Sequence, residues 1–187
     1  TRDHGRFLLI NTNYASINPR RGDTLSYLRI CENAGVIERN NESDMADFRT
    51  WCAWEQTNMA EMVALIERLT GDGFDLPIIL RPHPSENLEN WERAWDGIPG
   101  IKVIREGDYL AWCMAAEAVV HTSCTTGLEA ELLDCPALSL KPGDNPWHDL
   151  FVVNLVNDSA TTHAEARAWL DSLVAGERPA NDGRSRA

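Results

Sequence analysis

A histidine between two prolines ends an apolar run in the segment ILRPHPSE (79–86). Pro82 and Pro84 fix their own φ angles at about −65° and favour extended geometry at the residues before them. The imidazole of His83 is therefore carried on a stiff backbone, from which a charged or donating ring could contact a phosphate. The alternative is a structural histidine whose hydrogen bonds are satisfied within the fold. Arg81 could share the phosphate contact or could pair with an acidic neighbour.

A second polar cluster, HTSCTTGLE (121–129), follows an apolar run and enters a predicted helix. Backbone N–H groups and hydroxyls at this point would surround the positive end of the helix dipole, which favours an anion. The residues concerned are Ser123, Cys124, Thr125, Thr126 and Gly127. The alternative is that Ser123 or Thr125 only caps the helix, which stabilises it by about 1 kcal/mol and needs no ligand.

Other side chains near these clusters have less specific roles. Glu129 could accept two hydrogen bonds from a vicinal diol such as a ribose, or could complement the helix dipole at the surface. His121 lies inside an apolar strand, and we expect it to be buried and hydrogen-bonded. We expect His148 to be exposed in its loop and His4 and His163 to lie at the surface. Cys124 at a helix start is a weaker candidate for a nucleophile.

Composition limits the classes of partner. The 187 residues carry 17 basic and 29 acidic side chains, a net charge of −12, which disfavours nucleic acid and anionic lipid as general partners. Five cysteines without a CxxC pair argue against a disulfide framework or a zinc site. Apolar runs are far shorter than the roughly 20 residues of a membrane span, and we see no leader segment. We therefore expect a cytoplasmic protein, either free or at the inner face of the membrane.

The elements that position the two clusters alternate along the chain. Apolar runs predict strands at 6–12, 76–80, 101–106, 118–122 and 136–140. Helical spacing predicts helices at 23–34, 43–69, 86–97, 108–117, 125–134 and 161–175. Strands separated by single helices predict a Rossmann-like three-layer αβα domain with a parallel sheet over residues 1–175. Residues 176–187 contain almost no apolar side chains and are expected to be disordered.

Ligands of open parallel sheets bind outside the carboxyl ends of the strands, where both clusters and the segment NTN (11–13) are predicted to lie. The chain has no GxxxxGK[ST], GxGxxG or GxSxG motif. This absence argues against P-loop binding, the dinucleotide fingerprint and an α/β-hydrolase.

Three segments resemble the carboxyl-terminal half of GT-B fold glycosyltransferases, most closely the bacterial surface-carbohydrate (polysaccharide) biosynthesis proteins. They are FLLINTNYASIN (7–18), RPHPSE (81–86) and VVHTSCTTGLEAELLDCPALSL (119–140). A weaker resemblance to UDP-N-acetylglucosamine 2-epimerases rests on Ser123, Cys124, Thr125 and Glu129, but the two glycines of that pattern are missing here. Transferases that use CMP-activated sugars also carry a His-Pro element and a Ser/Thr pair, which His83, Pro84 and Ser123 with Thr125 or Thr126 resemble.

The resemblance implies that this chain is the donor-binding half of a glycosyltransferase, inactive alone, whose missing amino-terminal domain binds a glycan or lipid-linked acceptor. His83, as the catalytic residue, and the turn 123–126 would contact the phosphates of a CMP- or UDP-linked sugar. Glu129 would contact the ribose, and Asn13 would face the interdomain cleft. No metal or other cofactor is implied. Two alternatives remain open, a nucleotide-sugar 2-epimerase half and a non-catalytic nucleotide-binding module.

The long helix at 43–69, with Trp51 and Trp54, is expected to pack in the core or on the missing domain.

Overall fold

Six short strands form a single sheet in which each neighbouring pair is parallel. The computed structural model describes residues 5–177. Its strands are β1 (Leu8–Asn11), β2 (Ile78–Arg81), β3 (Ile101–Val103), β4 (Ala118–His121), β5 (Ala137–Leu140) and β6 (Asp158–Ala160). The order across the sheet is β3-β2-β1-β4-β5-β6. The chain therefore reverses its direction of winding beside β1, and the crevice at that point is where such sheets bind ligands.

Helices cover both faces of this sheet. They are α1 (Thr24–Asn33), α2 (Glu42–Gly71), α3 (Leu88–Trp95), α4 (Tyr109–Cys113), α5 (Thr126–Leu132), α6 (Val153–Val156) and α7 (His163–Val174), with a 3-10 helix at Pro146–Leu150. Alternate strand residues face opposite layers. Leu8 and Ile10 belong to one core cluster with side chains of α2, α3 and α7, and Leu9 belongs to the other with side chains of α4 and α5.

The structure differs from the sequence prediction mainly in its short elements. The strand β6, the helix α6 and the 3-10 helix were not predicted, because segments of three to five residues contain too little of a period to be recognised. The strand predicted at 101–106 ends at Val103. The predicted tail begins at Gly176, just after α7, and its residues 178–187 lie outside the described part of the chain. Among residues 5–177, no helix is both long and apolar enough to cross a membrane.

Candidate functional site

The register of the sheet brings three polar strand ends side by side. Asn11 at the end of β1 pairs with Arg81 of β2 on one side and with His121 of β4 on the other. A cleft of about 90 Å³ lies at these ends. It is lined by Asn11, Thr12, Arg81, Pro82, His83, Pro84, Arg105, Tyr109, Cys124 and Thr126. Residues from both predicted clusters therefore meet in one place, although about forty positions separate them in the sequence.

A buried carboxylate holds the His-Pro loop against the sheet. Glu86 is fully buried and accepts hydrogen bonds from the Thr12 hydroxyl at 2.6 Å and the His83 amide at 3.0 Å through Oε1. Its Oε2 accepts from the Trp91 indole N–H at 2.9 Å. Burial raises the pKa of Glu86, while these hydrogen bonds oppose the rise. Glu86 thus joins the loop to α3 and to the residue that follows β1. Sequence reasoning missed this role, although Glu86 ends the RPHPSE motif.

His83 presents one ring nitrogen to the outside. Its Nδ1 accepts a hydrogen bond from the Ser85 amide at 3.2 Å and lies 2.5 Å from the Ser85 hydroxyl. Partial burial lowers the pKa of His83, which favours the neutral ring. Because Nδ1 is an acceptor, the proton of the neutral ring is on Nε2. That N–H is the group that can donate to a ligand.

Two guanidinium groups add positive charge to the cleft. Arg81 donates to the carbonyl oxygens of Glu106 and Gly107 at 2.8 and 2.6 Å, and Arg105 donates to the carbonyl oxygen of Glu86 at 2.9 Å. Within residues 5–177 neither arginine forms a salt bridge. Carbonyl groups orient a guanidinium without cancelling its charge. Asp108 is near enough to Arg81 to interact with it, but the lining residues include two arginines and no acidic side chain, so the lining is positive in a chain of net charge −12.

The turn after β4 is used mostly for internal contacts. Ser123 has a φ of 53°, and its buried hydroxyl accepts a hydrogen bond from Asn154 Nδ2 at 2.8 Å. Its side chain therefore faces the interior and not a ligand. The Cys124 amide donates to His121 Nδ1 at 3.2 Å, and the thiol is buried, which raises its pKa and disfavours a nucleophilic role. The alternative that Thr125 only caps the helix is not confirmed either, since the Thr125 side chain accepts no capping hydrogen bond at the start of α5.

Thr126 and Asn11 supply the polar groups on this side of the cleft. Asn11 Nδ2 donates to the Thr126 hydroxyl at 3.2 Å, and the Tyr109 hydroxyl donates to the Thr126 carbonyl at 2.8 Å. Asn11 Oδ1 is buried and has no hydrogen-bond partner within residues 5–177. A buried acceptor without a partner is costly, so this oxygen is suited to a hydroxyl or N–H of a ligand.

Gly127 has a packing role. A side chain at this position would overlap Asn157, His121 and Val153. His121 Nε2 lies 2.8 Å from Asn157 Oδ1, and Asn157 Nδ2 donates to the Gly127 carbonyl at 3.1 Å. The prediction that His121 is buried and hydrogen-bonded is confirmed, and burial lowers its pKa to about 4.

Several of the histidines and candidate site residues named from the sequence do not line the cleft. Asn13 is half-buried, Glu129 is exposed on α5, and neither is among the lining residues.

His148 is buried with its Nε2 3.2 Å from the Pro142 carbonyl oxygen, so the prediction that it is exposed was wrong. The 3-10 helix turns its side chain inward. His163 is half-buried beside Glu61, and His4 lies outside the described residues.

A second buried carboxylate, Glu55 of α2, fastens the loop after β1. It accepts hydrogen bonds from the Ser16 amide at 2.9 Å and from the Ser16 hydroxyl. Burial is the main cause that raises the pKa of Glu55 to about 7 from an ordinary value of 4.5. The group is therefore largely protonated in the folded chain at mildly acid pH.

Glu55→Gln is expected to remove a pH dependence of stability. Between about pH 4.5 and 7 the unfolded chain has lost the Glu55 proton that the folded chain keeps. The contribution of Glu55 to the free energy of unfolding should therefore fall as the pH rises, by about 1.4 kcal/mol per unit. His121 gives the opposite slope in both proteins, because its folded pKa is lowered. Urea unfolding across this range should show the wild-type advantage over the variant shrinking by about 2 to 3 kcal/mol. A difference that stays constant with pH would contradict the assignment. Glu67→Gln, the same substitution at an exposed position of the same helix, is the control variant.

Neither a protein-family model nor a curated protein matches this sequence. Among solved structures, the chain is similar to the UDP-GlcNAc 2-epimerase of Methanocaldococcus jannaschii in complex with UDP-GlcNAc and UDP. The TM-score is 0.54 and the sequence identity is 15%, and the match covers 93% of this chain and 40% of the epimerase chain. It is also similar to E. coli heptosyltransferase WaaC with ADP, with a TM-score of 0.48 and 12% identity over 95% of this chain and 47% of that one. The likeness to the epimerase confirms the predicted fold class, a Rossmann-like three-layer α/β domain of the kind that forms one half of a GT-B fold. The chain spans 40% of the length of that epimerase.

Proposed function

We propose that this chain is the donor-binding domain of a nucleotide-sugar glycosyltransferase of surface polysaccharide biosynthesis. The observation that carries the proposal is the cleft at the ends of β1 and β2, where His83, Arg81 and Arg105 offer hydrogen-bond donors. The two arginines form no salt bridge within residues 5–177. Such a site suits a phosphate group, which guanidinium and imidazole donors bind through charge-assisted hydrogen bonds.

The size of the cleft suits part of a nucleotide sugar. About 90 Å³ accommodates a phosphate-sized group and not a base, a ribose and a sugar together. In this proposal the rest of the donor lies over the mouth of the cleft, where an amino-terminal domain carrying the acceptor site would cover it. Asn13 would face that domain, and the exposed side chains of Thr125 and Glu129 would approach the outer part of the nucleotide and its ribose.

The hydrogen-bond donors of the cleft indicate which step of sugar transfer the domain would assist. As the glycosidic bond of the donor sugar breaks, its electron pair moves onto the leaving phosphate oxygen. The His83 Nε2–H and the two guanidinium groups would stabilise this growing negative charge, because they are already oriented by Ser85, by Glu86 and by backbone carbonyls. Asn11 Oδ1 would accept a hydrogen bond from a hydroxyl group of the nucleotide sugar.

Nucleotide binding tests this proposal directly. CMP, CDP, UDP, GDP and ADP are screened for an increase in the melting temperature of the chain, since a ligand that binds only the folded state stabilises it. We expect one base series to stabilise the wild type. His83→Ala and Arg105→Ala should each weaken binding by about 1 to 3 kcal/mol, the cost of a lost charge-assisted hydrogen bond.

Arg68→Ala is the matched control, because Arg68 is exposed in the last turn of α2, which leads towards the start of β2, whereas the cleft lies at the carboxyl ends of the strands. It should bind nucleotide like the wild type. Wild-type affinity in both cleft variants would overturn the site. Absence of binding to any nucleotide, in this chain and in a longer chain that includes an amino-terminal domain, would overturn the function.

The second candidate is one half of a nucleotide-sugar 2-epimerase, favoured by the likeness in fold to the M. jannaschii enzyme. An epimerase converts a free nucleotide sugar without an acceptor, whereas a transferase releases the nucleotide only when the acceptor is present. Incubation of the longer chain with nucleotide sugar, with and without acceptor, separates them. Nucleotide binding with no turnover in either case would favour the third alternative, a non-catalytic binding module.

A further inference from the structure

A second cavity, of about 310 Å³, lies between the end of α1, the first half of α2 and the 3-10 helix. It shares no lining residue with the cleft described above. Four of its lining residues are aromatic, namely Tyr27, Phe48, Trp51 and Trp147. Its volume is at the lower end of the range for small-molecule sites, so the cavity has the size for a compact ligand.

The aromatic rings form walls at an angle and not one flat platform. The rings of Trp51 and Trp147 have centroids 5.3 Å apart and planes inclined at 82°. Behind them, Trp54 and Phe151 stack at 5.4 Å with an angle of 9°, and both contact Trp51. This second layer holds Trp51 in position before any ligand arrives, which reduces the entropy lost on binding.

The charged groups in the cavity lining are both acidic. They are Asp44 and Asp47, and the lining contains no lysine, arginine or histidine. Asp44 Oδ2 accepts a hydrogen bond from the Glu38 amide at 2.7 Å, which fixes that carboxylate at the wall. Asp47 is exposed on the next turn of α2. The net charge of −12 adds to the attraction for a positive ligand.

We propose that this cavity binds a small alkylated ammonium group. The faces of aromatic rings are negative, so the rings of Trp51 and Trp147, inclined at 82° to each other, can attract a cation from two directions, and Tyr27 adds a third aromatic ring to the lining. Alkyl groups on the nitrogen contact the same rings by apolar packing, with less loss of hydration than an unsubstituted ammonium would suffer. The carboxylates of Asp44 and Asp47 add negative charge at the rim, which attracts the positive charge of the ammonium group. This combination distinguishes the cavity from the phosphate-sized cleft, which presents the opposite sign of charge.

Choline and its neutral carbon analogue, 3,3-dimethylbutan-1-ol, test the proposal on the 187-residue chain. The two molecules have nearly the same shape and differ in charge. Tryptophan fluorescence should respond to choline with a saturable change, and choline should bind roughly tenfold more tightly than the alcohol. Equal affinity for the two molecules, or no saturable response to choline, would overturn the proposal.

Two variants identify the groups responsible. Asp47→Asn should weaken choline binding roughly fivefold, and Asp75→Asn, an equal change of charge at an exposed position before β2, should leave it unchanged. Trp147→Leu keeps an apolar wall but removes the aromatic face, and it should reduce the preference for choline over the alcohol. Far-UV circular dichroism confirms that each variant is folded. Full choline affinity in both Asp47→Asn and Trp147→Leu would overturn the site.

The source of the ammonium group is distinguished with phosphatidylcholine vesicles. Vesicle binding that free choline displaces would identify a lipid headgroup, and choline binding without vesicle binding would identify a free small cation. Vesicle binding that choline does not displace would contradict recognition through this cavity.

Discussion

Glu86→Ala is expected to lower the free energy of unfolding by about 4 kcal/mol. The carboxylate is fully buried and accepts from the Thr12 hydroxyl, the His83 amide and the Trp91 indole. Alanine would leave these donors without a partner and would open a cavity between the loop and the sheet. Each buried donor that loses its partner costs about 1 to 3 kcal/mol. Urea denaturation at neutral pH measures the loss.

The effect should extend to the candidate site. Glu86 fixes the backbone amide of His83, so its removal should also weaken nucleotide binding, even at temperatures where the variant is folded. Glu89→Ala is the control, because Glu89 is an exposed acid in the first turn of the adjacent helix α3, and it should change stability by no more than about 0.5 kcal/mol. Equal stability of the two variants would show that Glu86 is not the anchor of the loop.

Gly127→Ala is expected to destabilise the chain by about 3 to 4 kcal/mol. The backbone of Gly127 is in the right-handed region, so strain in φ and ψ is not the cause. The cause is space, since a Cβ atom would overlap the His121 ring and the Asn157 amide. Overpacking alone costs about 1 to 3 kcal/mol, and displacement of Asn157 would also break its hydrogen bonds to His121 and to the Gly127 carbonyl.

Gly71→Ala provides the matched comparison. Gly71 ends α2, and nothing lies within 4 Å of a Cβ atom built there. Alanine at this position should be neutral or stabilise the chain by about 0.5 to 1 kcal/mol, because glycine loses more conformational freedom on folding. Thermal unfolding of both variants measures the contrast. Equal melting temperatures would contradict the close packing of α5 against His121 and Asn157.

The predictable part of the fold was the part with a strong local pattern. Strands β1, β2 and β4 are continuous apolar runs because both faces of a parallel sheet are covered, and such runs are visible in the sequence. The long helix α2 was predicted within two residues of its ends. Strand β6, with the sequence DSA, has no such pattern, since it pairs with β5 at the edge of the sheet through backbone groups.

The candidate site was predictable in position and less so in composition. Arg81 and His83 were identified from the RPHPSE motif, and the end of a parallel strand is where a ligand is expected. Arg105 and Tyr109 were missed because they enter the cleft from the segment after β3, which carried no motif, and Asn11 was included only as part of the NTN strand end. The only sequence signal of Arg105 and Tyr109 is that each lies near the carboxyl end of a strand or at the start of a helix.

Local sequence patterns are enough to specify the alternation of strands and helices, and with it the edge of the sheet where polar residues collect. These features depend on neighbours a few positions apart, through periodicity and proline geometry. The direction in which each polar side chain points depends instead on long-range packing in the folded chain. The Ser123 hydroxyl faces inward because Asn154 donates to it from 31 positions away. Glu86 is an anchor because Thr12, just after β1, and Trp91 of α3 both donate to it. Such contacts join residues distant in the chain, so no local pattern specifies them.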